Sequence, residues 1–179
     1  MSAVAIKHMQ VTSRELVELA QKEFQGPLTG YAAGLLGGDW ERARDVVQDT
    51  FIKLHKQDPD LIKGKLKSWL YTVCRNRAID VHRKENPMLT SAGEAFENLN
   101  DSMPSPSETA VSKERHAEVL KFLDRLPTNQ KEVIRLKFQG DLSYKEIAEV
   151  TGLSVSNVGF LIHTGIKRLR TLMGVEVSK

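Results

Sequence analysis

LSYKEIAEVTGLSVSNVGFLIHTGIKRLR, running from Leu142 to Arg170, decides the fold. Ser143 followed three residues later by Glu146 forms a capping box, in which each side chain accepts from the other residue's backbone amide, so a helix starts there. Ile147, Ala148 and Thr151 lie on its inward side. Gly152 stands where a helix ends in the left-handed region, Leu153 plugs the turn, and Ser154 caps a second helix. That helix holds Val158, Leu161, Ile162, Ile166 and Leu169 on one face. Ala148 is small where two helices would cross steeply, which is the arrangement of a helix-turn-helix with its second helix in a DNA major groove.

At about 100° per residue, Ser156, Phe160, Thr164, Lys167 and Thr171 fall within roughly 40° of one line, opposite the apolar stripe and flanked by Asn157 and His163. This line is the candidate groove-facing surface. Spacing alone also admits an ordinary αα-hairpin with a polar outer face. An outward Phe160 favours DNA, because apolar contact with a thymine methyl is a standard base readout.

The rest of the chain is read against that unit. Its 179 residues are 40% hydrophobic, enough for two small helical domains with modest cores. A net charge of +3 is slight, so a polyanion-binding surface must arise from local concentration of cations. The single cysteine, Cys74, excludes an internal disulfide and reads as a small core residue of a reducing compartment. His8, His55, His82, His116 and His163 lack ligand spacing, so neither a metal nor a cofactor is expected. The N-terminus lacks a secretory apolar run, and no stretch of about 18 apolar residues exists to span a bilayer. A cytoplasmic protein without membrane insertion is the expectation.

Along the N-terminal half, Thr12 and Glu15 make another capping box. It opens a helix with Leu16, Leu19, Ala20 and Phe24 inward, which Gly26 and Pro27 are expected to stop. Pro27 would then start a second helix to about Leu36, closed by Gly37 and Gly38. Asp39 caps the next, with Ala43, Val46, Val47, Phe51 and Leu54 inside and Arg42, Asp45, Gln48, Asp49 and Lys53 outside. From the residues alone, that charged face is a solvated one. Asp58 to Lys65 reads as a loop.

A helix from about Leu66 to Lys84 follows, with Leu66, Leu70, Val73, Cys74 and Val81 as its core stripe. Trp69, Thr72, Asn76, Asp80 and Arg83 lie within about 40° of a second line. Lys63, Lys65, Lys67, Arg75, Arg77 and Lys84 surround them, opposed by Asp80 and Glu85. A basic helix interleaved with Trp69 and Tyr71 suits single-stranded nucleic acid, since aromatic faces stack on unpaired bases while cations follow phosphates. Trp69 fits a core anchor equally well.

Helical periodicity vanishes between Asn86 and Ser107, where Pro87, Gly93, Pro104 and Pro106 mark a flexible linker, acidic through Glu94, Glu97 and Asp101. The expected organisation is therefore an N-terminal domain over 1–85, a linker over 86–107 and a C-terminal domain over 108–179, all α. Glu108 to Leu126 resumes a helical pattern that Pro127 ends, and Thr128 caps a helix from Asn129 to Phe138 with Gly140 as its stop.

DVVQDTFIKLHK (Asp45 to Lys56), WLYTVCRNRAIDVHRKE (Trp69 to Glu85), LDRLPTNQKEVIRLKFQGDLSYKEIAEVTGLS (Leu123 to Ser154) and IKRLR (Ile166 to Arg170) together resemble the extracytoplasmic-function sigma factors of bacterial RNA polymerase. The resemblance implies a non-enzymatic initiation factor whose partners are core RNA polymerase and promoter DNA, both duplex and melted, with an anti-sigma factor as a further candidate. It turns the solvated face into a polymerase-docking one, with Asp45, Gln48, Asp49 and Lys53 as contacts. It assigns minus-ten recognition to Lys63, Lys65, Trp69, Thr72, Arg75, Asn76, Asp80 and Arg83, with Asn76 at the pocket for an unpaired base. The minus-thirty-five duplex falls to Ser156, Asn157, Phe160, His163, Thr164 and Lys167, and the acidic stretch from Glu94 to Glu108 would mimic RNA in the exit path. Many relatives carry Arg or Lys after the valine of the recognition helix. Here Val158 is followed by Gly159, Phe160 and Leu161, so the duplex preference is not transferable. The rival readings are a helix-turn-helix regulator that binds duplex DNA without polymerase and an interaction protein that sequesters sigma-type partners.

Overall fold

The computed structural model describes residues 12–85 and 121–174, which are all helix and turn, with no strand among them. The expected linker and the first part of the helix from Glu108 lie outside the described residues.

α1 spans Ser13–Leu35 as one helix, and this corrects the expected break at Gly26 and Pro27. Its capping box forms as expected, with the Thr12 amide donating to Glu15 Oε2 at 2.9 Å and the Glu15 amide to Thr12 Oγ1 at 3.3 Å. Pro27 is exposed, so the carbonyl of exposed Glu23 that loses its donor faces water. Meanwhile Leu16, Ala20, Phe24, Leu28, Tyr31 and Leu35 continue past it as one buried stripe at three- and four-residue spacing. Packing of that stripe outweighs the proline's local penalty.

Gly37 and Gly38 turn the chain at φ 67° and 83°, and Asp39 caps α2 (Trp40–His55) by accepting from the Arg42 amide at 3.0 Å. The stretch expected to be loop contains one helical turn, α3 (Pro59–Ile62), because Asp58 caps it and Pro59 occupies its first position. α4 (Leu66–Glu85) follows. Its buried side chains are Leu66, Ser68, Leu70, Tyr71, Cys74, Ala78, Ile79 and His82, while Val73 and Val81 are only half-buried. The core stripe is thus wider than expected and turned toward Tyr71 and Ala78, since α4 packs against α1 and α2 and also against the C-terminal half.

In that half, residues 121–123 are helical, α5 spans Thr128–Phe138, α6 Tyr144–Thr151 and α7 Val155–Leu172. Pro127, not Thr128, sits at the α5 N-cap, with no side-chain cap. The helix-turn-helix assembles as expected. Ser143 and Glu146 exchange bonds at 3.2 and 2.7 Å, Gly152 takes φ 76°, and Ser154 accepts from the Asn157 amide at 3.2 Å. Ile147 and Val150 are the buried residues of α6, with Ala148 and Thr151 half-buried. Gly165 is buried against α5, where a Cβ would lie 2.7 Å from Ile134 Cδ1, so glycine sets the approach of α5 and α7.

The cores of the two halves are not separate. Among the described residues, one cluster runs from Leu16 through Tyr71 and Cys74 to Leu142, Ile147 and Ile162, leaving Leu123, Leu126 and Ile134 as a satellite.

Candidate polymerase and nucleic-acid interfaces

Three exposed surfaces carry the candidate residues. On α2, Asp45, Gln48 and Lys53 are exposed. Asp49 is half-buried and accepts from Arg77 Nε of α4 at 2.7 Å, so it ties the two helices together rather than standing free. Ile52, 49% exposed, follows Asp45 and Gln48 at i+7 and i+4 on the same face. Its mark in the sequence is an apolar residue outside the buried stripe of α2.

The second surface is the outer side of α4. Asn76, Asp80 and Arg83 are exposed at successive turns, with exposed Lys63 and Lys65 leading into the helix. Trp69 and Thr72 extend the line but are half-buried. Trp69 packs against the core, and Thr72 Oγ1 donates to the Ser68 carbonyl at 2.8 Å. Trp69 therefore serves as a core anchor with one partly open edge. Arg75, expected among the cations around that line, turns instead toward the C-terminal half. Its guanidinium makes a bidentate pair with buried Glu132 of α5, Nε to Oε1 at 2.7 Å and Nη2 to Oε2 at 3.2 Å. Tyr71 turns inward as well, edge-on to Tyr31 at 5.3 Å between ring centroids. The cations left facing solvent beside Asn76 are Lys63, Lys65, Arg83 and Lys84.

On α7, Ser156, Asn157, Phe160, His163 and Lys167 are exposed, and Phe160 is 63% open. Arg168 and Arg170 add exposed positive charge toward the C-terminal end. Thr164 is only half-available, because it accepts from Gln130 Nε2 at 3.1 Å and donates to the Phe160 carbonyl at 2.8 Å. The bond from Gln130 fixes α7 on α5. Gly159 lies beside the Tyr144 ring, 3.5 Å from where a Cβ would be, so the residue in place of the relatives' cation packs against α6.

Buried acidic hydrogens behave as core groups. Burial pushes the Cys74 thiol up to about 12, only partly offset by a hydrogen bond with Thr50. Burial likewise raises the Tyr71 hydroxyl, helped by Cys74 and Asp141. Among the described residues no group of three or more His, Cys, Asp or Glu could hold a metal, and no helix is long and apolar enough to cross a membrane.

Comparison with known proteins accounts for this arrangement. The model of sigma-70 region 2 matches residues 21–87, and that of sigma-70 region 4 matches residues 116–169. The ECF RNA polymerase sigma factor RpoE of Cereibacter sphaeroides is 31% identical over 133 residues, covering 74% of this chain and 71% of the relative. SigM of Bacillus subtilis, also an ECF RNA polymerase sigma factor, is 27% identical over 141 residues, 78% of this chain and 85% of the relative. In fold, the chain is similar to the sigma factor RpoE of Bartonella quintana, solved with the anti-sigma factor NepR, at TM-score 0.70 and 22% identity over 89% of this chain and 98% of that one. CnrH, solved with the cytosolic domain of CnrY, gives 0.63 and 23% over 98% and 96%. Region 2 accounts for the N-terminal half and leaves the stand-alone regulator without support. Two sigma regions in order, with a relative matched across most of its length, place this chain in the ECF sigma factor family of RNA polymerase.

Proposed function

We propose that this sigma factor docks on core polymerase through Asp45, Gln48, Ile52 and Lys53 of α2, takes an unpaired minus-ten base at Asn76 of α4, and reads the minus-thirty-five duplex with α7. The observation that carries the reading is that each sigma region presents one exposed, polar and partly cationic helix face: Asn76, Asp80 and Arg83 with Lys63 and Lys65, and Ser156, Asn157, Phe160 and Lys167. The protein contributes binding energy rather than bond chemistry. Unstacking and unpairing a base costs a few kcal/mol, offset by hydrogen bonds in the pocket, stacking and phosphate contacts. It works in the cytoplasm alongside the polymerase. An anti-sigma factor is a proposed partner, motivated by the similar sigma factor RpoE solved with the anti-sigma factor NepR.

Asn76→Ala tests the base pocket. In reconstituted holoenzyme it is expected to reduce permanganate-detected melting at least tenfold while closed-complex binding falls less than threefold. Equal losses, or none, reject Asn76 as the pocket residue.

A further inference from the structure

The rotation of α7 is held from two sides. A Cβ on Gly159 would lie 3.5 Å from the Tyr144 ring of α6, and Thr164 Oγ1 accepts from Gln130 Nε2 of α5 at 3.1 Å. These two positions lie about 140° from each other around the helix, and Ser156, Phe160 and Lys167 fall between them. The two contacts therefore bracket the line proposed to enter the groove. Beneath it the α7 backbone runs close against α5, where a Cβ on Gly165 would lie 3.4 Å from Gln130 Cβ and 2.7 Å from Ile134 Cδ1.

The amide of Gln130 gives the fold little net stability. Its Nε2 makes the bond to Thr164, but its Oε1 is buried without a hydrogen-bond partner among the described residues. A buried acceptor left without a donor offsets the gain from one neutral hydrogen bond. What the amide contributes is direction. Thr164 passes that direction on, because its hydroxyl donates to the Phe160 carbonyl at 2.8 Å and so joins α5 to the backbone of the exposed aromatic. Thr164 is thus engaged inside the domain. At a side-chain radius of about 5–6 Å, turning α7 by about 20° carries a side chain about 2 Å, whereas a close contact tolerates about 0.5 Å.

From this geometry, and resting on the proposed promoter reading, we propose that Gln130 is a positioning residue for minus-thirty-five recognition. Acting through Thr164, it fixes the rotation of α7 and with it the base that Phe160 meets. Gln130 lies on α5 and bonds to α7, so it acts on sequence choice only through that helix. Its loss removes no cation, so discrimination falls while the salt dependence of binding stays as it is. Leucine is close to glutamine in size and removes the stranded oxygen, so Gln130→Leu separates the positioning of α7 from the stability of the fold.

Holoenzyme reconstituted with the full chain tests this by selection from a promoter library randomised across the minus-thirty-five element, alongside thermal melting of the free protein. Gln130→Leu should melt no lower than wild type, yet reduce by about threefold or more the preference at the positions that Phe160→Ala alters, with an unchanged salt slope. Thr164→Val should give the same altered ranking, and the double variant should add nothing to it, since both act along one path. Thr164→Ser, which keeps the hydroxyl, should hold the wild-type ranking. A wild-type ranking in Gln130→Leu, where Phe160→Ala shifts it, overturns the proposal. So does a uniform loss on all sequences that follows a lowered melting temperature, or a loss in the double variant equal to the two singles combined. Should Phe160→Ala itself leave the ranking unaltered, the base reading beneath the proposal fails, and the positioning role with it.

Discussion

Tyr71 shows how a single side chain reports on both stability and the seam between the two halves. Its hydroxyl is buried without a hydrogen-bond partner, in contact range of Gly140 from the other half of the molecule. A buried hydroxyl left unpaired costs roughly 1–3 kcal/mol, so Tyr71→Phe is expected to keep or raise the melting temperature by several degrees. The sign with pH follows from its raised folded value. A neutral acid favoured by the fold stabilises fully below its unfolded value, near 10 for tyrosine, and that stability is lost as pH rises above it. Wild type should therefore lose melting temperature above about pH 10 more steeply than Tyr71→Phe. Parallel curves would show that another group governs the alkaline limb.

The recognition surface makes a separate prediction at the same scale. Phe160 is exposed with no polar group to contribute, and Lys167 is an exposed cation about two helix turns further on. Phe160→Ala should change which minus-thirty-five sequences are preferred, as measured by selection from a randomised promoter library with holoenzyme. Lys167→Ala should weaken all sequences alike and lower the salt slope by about one. An unchanged preference in the first variant would remove Phe160 from the base-reading face.

Among the elements, α1 shows where local rules yield to packing. Gly26 and Pro27 carry a strong stop signal, yet Phe24, Leu28 and Tyr31 remain in phase across them and bury against α2 and α4. Pro27→Ala restores a backbone donor on the exposed face and should raise stability by about 1–3 kcal/mol in chemical denaturation, without changing polymerase association. A loss of stability would mean that the proline preorganises the helix.

The helix-turn-helix lies at the other extreme. Ser143, Glu146, Gly152 and Ser154 act through bonds to backbone three residues away or through their own φ, so their roles were legible in the sequence. The α5–α7 contact was not, since nothing local distinguishes Gly165 from a merely tolerated helix glycine until Ile134 is placed against it. The same reason separates Asn76 from Arg75. Adjacent in sequence and similar in polarity, one faces solvent and the other is claimed by Glu132, 57 residues away. Periodicity gives a residue's angle on its own helix, while the partner across the seam depends on how two halves dock.

At the level of the whole molecule, the two helical halves expected from composition share one core and a buried ion pair. The linker boundary still separates the two sigma regions, matched at 21–87 and 116–169. As a sigma factor, this chain gives core polymerase its choice of start site. Run-off transcription from a genomic fragment library, using purified core enzyme with and without this protein, measures that choice. The account predicts discrete new transcripts, each starting downstream of two common sequence elements about 25 base pairs apart between centres. Failure of the chain to associate with core enzyme, or an unaltered set of start sites in its presence, would contradict it.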